Sequence, residues 1–157
     1  MKDFTYPTLE PFNFLGLDEQ TYEKSKVVIF PAPYSSTTYW KANTKEGPQA
    51  LIEASRHVEL YDLETQNNSS QEGIFTLPFL APSKNTPAEV AFQIKEVISQ
   101  ILSDKKFPLM LGGEHSITLG AFQAFKENFT DFSVLQIDAH TVLREEFEGT
   151  EYHHACV

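Results

Sequence analysis

The stretch Phe107-Pro108-Leu109-Met110-Leu111-Gly112-Gly113-Glu114-His115-Ser116 decides the fold class. Its first five residues make an apolar run too short for a helix, and Gly112-Gly113 ends it, so it reads as a buried strand entering a tight turn. Upstream, Thr86-Pro87-Ala88-Glu89 is a helix start, in which the Thr hydroxyl caps a free amide three residues on and Glu89 reaches back to Thr86. Val90, Ala91, Ile94, Val97, Ile98, Ile101 and Leu102 then recur at three- and four-residue spacing. The helix is therefore predicted to run to about Lys105, with one apolar stripe opposite Glu89, Gln93, Lys95 and Glu96. Downstream, Ser116 can cap a helix with apolar positions Leu119, Phe122 and Phe125, and Phe132 to Ile137 reads as another buried strand.

Toward the N-terminus, Lys26-Val27-Val28-Ile29-Phe30 is a β-branched run stopped by Pro31 and Pro33, again a buried strand. A hydroxyl-rich loop, Tyr34 to Thr44, follows it. Gln49–Arg56 reads as a short helix with Pro48 at its first position, and His57 to Tyr61 as a second strand. Asp62 to Lys84 is rich in Asn, Ser, Gly and Pro and reads as a surface excursion. Alternating strands and helices with continuously apolar strands predict an α/β fold with a parallel sheet.

Composition narrows the partners. The 157 residues include 12 Lys and Arg against 22 Asp and Glu, a net charge of −10, which argues against a surface that tracks nucleic-acid phosphates. The only cysteine is Cys156, so no intrachain disulfide forms and the pattern fits a reducing cytoplasm. Met1 to Gln20 alternates aromatic and acidic residues without the basic start and apolar stretch of a secretory signal. The longest apolar runs, Val27–Phe30 and Pro108–Leu111, fall far short of the roughly 20 residues a bilayer requires, so no membrane partner is expected.

Ligands of open parallel sheets bind where the strand-to-helix loops gather, at the carboxyl ends of the strands. Two such loops here carry metal-type donors: Gly113-Glu114-His115 and Asp138-Ala139-His140. Taken singly, each histidine is an ordinary loop residue and Asp138 a turn residue. Together at two strand ends they are donors that a borderline cation such as Mn²⁺ or Zn²⁺ uses. If the chain stays extended past Ile137, Asp138, His140 and position 142 form a row on one side, but position 142 is Val and cannot ligate. Tyr152-His153-His154 lies near the end of the sequence, and spacing alone leaves its role open.

As a set, Gly112-Gly113-Glu114-His115-Ser116, Asp138-Ala139-His140 and the run from Leu143-Arg144-Glu145-Glu146-Phe147-Glu148-Gly149 through His154-Ala155 resemble the ureohydrolase family of arginases and agmatinases, closest to the agmatinase side. The resemblance covers nearly the whole chain. It implies a three-layer αβα fold with a parallel sheet, and a binuclear manganese site in which a bridging hydroxide attacks a guanidinium carbon to release urea and an amine. By that resemblance His115 would ligate one manganese, His140 the other, and Asp138 both; His154 would be the catalytic histidine, with His153 the second choice. The product of agmatine hydrolysis would be putrescine, a step of polyamine biosynthesis.

Two departures shape the expectations. The family's second motif reads Asp-Ala-His-x-Asp, and Val142 stands where its last Asp would be. The family's second half, which supplies two more aspartate ligands and closes the sheet, has no counterpart in these 157 residues. The chain is thus expected to be a truncated ureohydrolase that binds one manganese or none and is inactive alone. It is also expected to self-associate or to need a complementary C-terminal half. The rival expectation is a non-catalytic remnant or interaction partner that keeps part of the fold.

Overall fold

The computed structural model describes Leu9 and residues 11–157; the remainder of the aromatic and acidic N-terminal stretch lies outside the described residues. β1 (Val27–Ala32), α1 (Gly47–Ser55), β2 (Tyr61–Asp62), β3 (Asn67–Asn68), β4 (Ile74–Thr76), α2 (Pro87–Ser103), β5 (Phe107–Gly112) and α3 (Thr118–Asn128) follow in that order. β4, β1 and β5 form one parallel sheet in the order β4-β1-β5.

β1 is the centre of this sheet because it is apolar on both faces. Val28, Phe30 and Ala32 point to one side, where α2 and α3 cover them with Val90, Ile94, Ile98, Ile101 and Ala124. Ile29 points to the other, against Leu17, Ile74, Phe14 and Leu15. α1 closes that second face, tied to it by the Ser55 hydroxyl, which accepts from the Leu15 amide at 2.9 Å. Helices on both faces of a parallel sheet give the three layers expected. β1 outruns its expected stop at Pro31 because β4 has already ended there: Leu80 donates to the Pro31 carbonyl at 2.9 Å, so the missing proline N–H costs no ladder bond on that side.

α2 begins as expected at Pro87, with the Thr86 hydroxyl accepting from the Glu89 amide at 3.2 Å. The reciprocal half of the capping box is not made. The Glu89 carboxylate instead accepts from Ser83 Oγ at 2.5 Å and Asn85 Nδ2 at 3.0 Å, folding the preceding loop onto the helix. α3 crosses α2 at Gly120, where an added Cβ would lie 2.3 Å from the Ala91 carbonyl oxygen and 2.9 Å from the Ile94 Cβ. Any side chain there would force the helices apart.

Five expectations fail. His57 to Tyr61 is not a sheet strand: only Tyr61 enters a two-residue hairpin with Asn68, and Val58 and Leu60 are exposed with no strand beside them. Within the expected surface excursion, β4 joins the main sheet; its three residues, Ile74–Thr76, are too few to show a period. β5 is a partly exposed edge rather than a buried strand, with Phe107 and Leu109 open to solvent. Ser116 does not cap α3, which starts at Thr118 after a 3₁₀ turn over His115–Ile117, because the Ser116 hydroxyl is committed to Glu114. Phe132 to Ile137 forms no strand, since a strand needs a ladder partner and none of the described residues supplies one.

Candidate functional site

β1 and β5 end side by side, Ala32 opposite Gly112, so the loops that follow them leave the sheet together. The Glu114 amide donates to the Tyr34 carbonyl at 2.8 Å, and a Cβ on Gly113 would come 2.2 Å from that same oxygen. Glycine is required at 113 because the two backbones touch. This contact swings Glu114 under the hydroxyl-rich loop, where it is 3% exposed.

Buried carboxylates need partners, and Glu114 has four. Its Oε2 accepts from the Ser36 amide at 2.5 Å and the Thr37 amide at 2.7 Å; its Oε1 accepts from Thr37 Oγ1 at 2.8 Å and Ser116 Oγ at 2.6 Å. Burial acts to raise its pKa, but these hydrogen bonds outweigh burial and hold it below the ordinary carboxylate value. Thr37 Oγ1 also lies 3.0 Å from His154 Nδ1 and 3.2 Å from the His154 amide. Glu114 and Thr37 carried no expected role in the sequence. A hydroxyl-rich loop leaving one strand beside a carboxylate leaving the next was the available signal.

Three of the residues singled out in the sequence come together. His115 Nδ1 is 3.4 Å from Asp138 Oδ2, and His140 Nδ1 is 3.7 Å from Asp138 Oδ1, so one carboxylate sits between two imidazoles. The Asp138 pKa is lowered, chiefly by the His140 amide, which donates to it at 2.8 Å, and further by Gln136 and the two rings. That amide contact closes a local Asp turn, so the chain does not stay extended. Val142 then takes a left-handed φ of 48°, and the expected row of 138, 140 and 142 does not form. A cavity of about 550 Å³ opens beside His140, with Thr37, Tyr39, His140, Val142, Arg144 and His154 among its walls, whereas His115 and Asp138 line a separate one of about 350 Å³.

The two adjacent histidines have different surroundings. His153 is 2% exposed, with the Phe147 ring edge-on at 4.8 Å and Glu148 at 3.7 Å. Burial and then the neighbouring His154 push its pKa below the usual histidine value, against the pull of Glu148 and Glu114. His154 is half-buried and faces Thr37.

A matching family model, the arginase family, spans residues 25–157. The chain belongs to the arginase family. Among curated members, the chain is similar to the N(1)-aminopropylagmatine ureohydrolase of Synechocystis, with 37% identity over 96% of this chain and 51% of that protein. It is also similar to the agmatinase of Halalkalibacterium halodurans, with 31% identity over 88% of this chain and 48% of that protein. Among solved structures, the agmatine ureohydrolase of Thermoplasma volcanium superposes with a TM-score of 0.84 at 30% identity, over 95% of this chain and 48% of that one. The chain thus spans about half the length of the relatives it matches.

Two imidazoles and a carboxylate are the ligand types a manganese ion accepts, and each imidazole stands within 4 Å of the Asp138 carboxylate. They supply a single negative charge. Among the described residues no group of three or more His, Cys, Asp or Glu side chains is placed so that it could hold a metal ion, and the His140 side chain is 84% exposed. The donors fit the metal in kind but are not gathered into a metal-holding arrangement. Among the described residues, no helix is long and apolar enough to cross a membrane.

Proposed function

We propose that this chain carries the first half of a manganese-dependent ureohydrolase site that hydrolyses a linear guanidino compound, agmatine or a close relative, to urea and an amine such as putrescine, in the cytoplasm. The observation that carries the reading is the Asp138 carboxylate standing between His115 and His140 at one end of a parallel sheet. Manganese held by His115, Asp138 and His140 would lower the pKa of a water and orient it, which the reaction needs because guanidinium is a poor electrophile. The chain's own residues do the rest. His154, on the wall of the cavity beside His140, moves a proton between the reacting centre and solvent. Thr37 and Glu114 hold that histidine against the loop, and the cavity receives the guanidino group.

A single carboxylate near two imidazoles, not gathered into a metal-holding group, supports binding of one manganese at most by this chain. The outer edge of β5, unpaired among the described residues, and the exposed Phe132–Ile137 segment support a complementary half, of the kind that fills the rest of the relatives' length, as the partner that completes the sheet and the charge. Urea release decides the matter, measured with Mn²⁺ on agmatine, arginine, guanidinobutyrate and formiminoglutamate, for the chain alone and co-expressed with the C-terminal half of a related agmatinase. Urea from agmatine in the second arm is the expected result. Absence of urea in both arms, with both halves folded, would overturn the reading. The second reading, a non-catalytic partner that keeps the fold, is favoured by Val142, and that same absence would establish it.

A further inference from the structure

We propose that Thr37 is a positioning residue that fixes the tautomer of His154, forcing the proton of the neutral ring onto Nδ1 and leaving Nε2 as its only proton-accepting atom. A hydroxyl has one hydrogen to give and two lone pairs to offer. The Thr37 hydrogen goes to Glu114 Oε1 at 2.8 Å. That assignment is forced by the partners of the carboxylate: Oε2 is taken by the Ser36 and Thr37 amides, Oε1 by the Ser116 and Thr37 hydroxyls, and an acceptor-only group cannot face a hydroxyl lone pair at that distance. One lone pair of Thr37 takes the His154 amide hydrogen at 3.2 Å. The second faces His154 Nδ1 at 3.0 Å. With its hydrogen spent, Thr37 can only accept from that nitrogen, so Nδ1 carries a hydrogen.

The arrangement spans three separate stretches of chain. A single carboxylate after β5 orients a hydroxyl after β1, and the hydroxyl holds both the backbone and the ring of residue 154. With backbone and ring pinned by the same atom, the imidazole has little freedom to swing or flip. This gives a proton-moving histidine a defined basic atom on the far side of the ring from Thr37. The chemical purpose of that arrangement rests on the ureohydrolase reading; the tautomer itself does not.

The test uses the full chain labelled with ¹⁵N-histidine and a long-range ¹H–¹⁵N correlation spectrum above the pH at which the histidines ionise, with His154 assigned by its absence in His154→Gln. The expected spectrum has His154 protonated at Nδ1 and unprotonated at Nε2. Thr37→Val should abolish that pattern in favour of protonation at Nε2, and Thr37→Ser, which keeps the hydroxyl, should restore it. Protonation of His154 at Nε2 in the unsubstituted chain would overturn the proposal by itself, even if Thr37→Val does not fold. An unchanged Nδ1 pattern in a folded Thr37→Val chain would also overturn it. Absence of urea release by the chain co-expressed with a C-terminal half, with the Nδ1 pattern intact, would count against the proposed function and leave this assignment standing.

Discussion

Val27-Val28-Ile29-Phe30 and Val134-Leu135-Gln136-Ile137 are runs of similar apolar character that meet opposite fates. The first is the buried centre of a sheet, flanked by two strands and covered by helices on both faces. In the second, Leu135 is 87% and Ile137 93% exposed, and the run pairs with nothing among the described residues. The packed core thus lies within residues 14–128, whereas residues 129–157 are held by local turns, by the Arg144 amide on the Ala155 carbonyl at 3.2 Å, by His115 against Asp138, and by the contacts of His154 with Thr37. A strand is a property of neighbours as much as of residues. The pattern that makes a segment able to be a strand does not supply the ladder that makes it one.

The sharpest test of this contrast removes the same atoms from each region. Ile94→Ala, at a side chain 0% exposed, should cost about 2–5 kcal/mol in denaturant unfolding, the range for emptying a packed isoleucine site. Ile137→Ala should stay within about 0.5 kcal/mol, as surface substitutions do. Equal costs would erase the distinction between the regions.

Gly113→Ala probes the seam where the two loops meet. Its methyl group would enter the space of the Tyr34 carbonyl, so a loss of about 1–3 kcal/mol is expected, measured by thermal unfolding. A neutral result would mean that the loop after β1 is free to move away from Glu114.

Val142→Asp addresses the irregular region. A β-branched residue at a φ of 48° is strained, and Asp tolerates that conformation better, so a gain of about 1 kcal/mol is expected. Calorimetric titration should also show tighter Mn²⁺ binding, because an oxygen donor is added beside His140, yet the variant alone should release no urea. Unchanged stability and metal affinity would count against both arguments.

The smallest effect concerns pH. Burial keeps the folded-state pKa of His153 below its unfolded value of 6.5, so the unfolded chain takes up the proton first as pH falls. Stability should be complete above about pH 6.5 and decline from there toward the lower folded value, with Glu148 and Glu114 opposing the loss and Arg144 and His154 adding to it. Unfolding midpoints that stay level between pH 7 and pH 5 in His153→Gln, while they fall in the unsubstituted chain, would assign the slope to this ring.

What could be read in the sequence follows the same division. α2 was legible because its cap and its seven-residue stripe are local signals, and β1 because its length and apolarity are. The arginase-like layers were legible from the motifs as a set. β4 was not, since three residues carry no period and its strandhood comes entirely from β1. The condition of an extended chain from 138 to 142 is not met because the Asp138 carboxylate closes its own turn, a competition between side chain and backbone that spacing does not reveal. His115, Asp138, His140 and His154 were all singled out, but the Glu114–Thr37 link between the loops was not, because it joins residues 77 positions apart through a side chain.

That link also bears on the order in which the molecule assembles. Thr37 and His154 are 117 positions apart, whereas the turns of α2 join neighbours, so the entropy of closing the longer loop must be met before the contact returns anything. The packed core is expected to form early and the His154 contact late. Pulse-labelling during refolding should therefore find the amides of Val90 to Ile101 protected before that of His154, and a chain caught between those two moments would be a folded scaffold whose proton-handling group has not yet arrived.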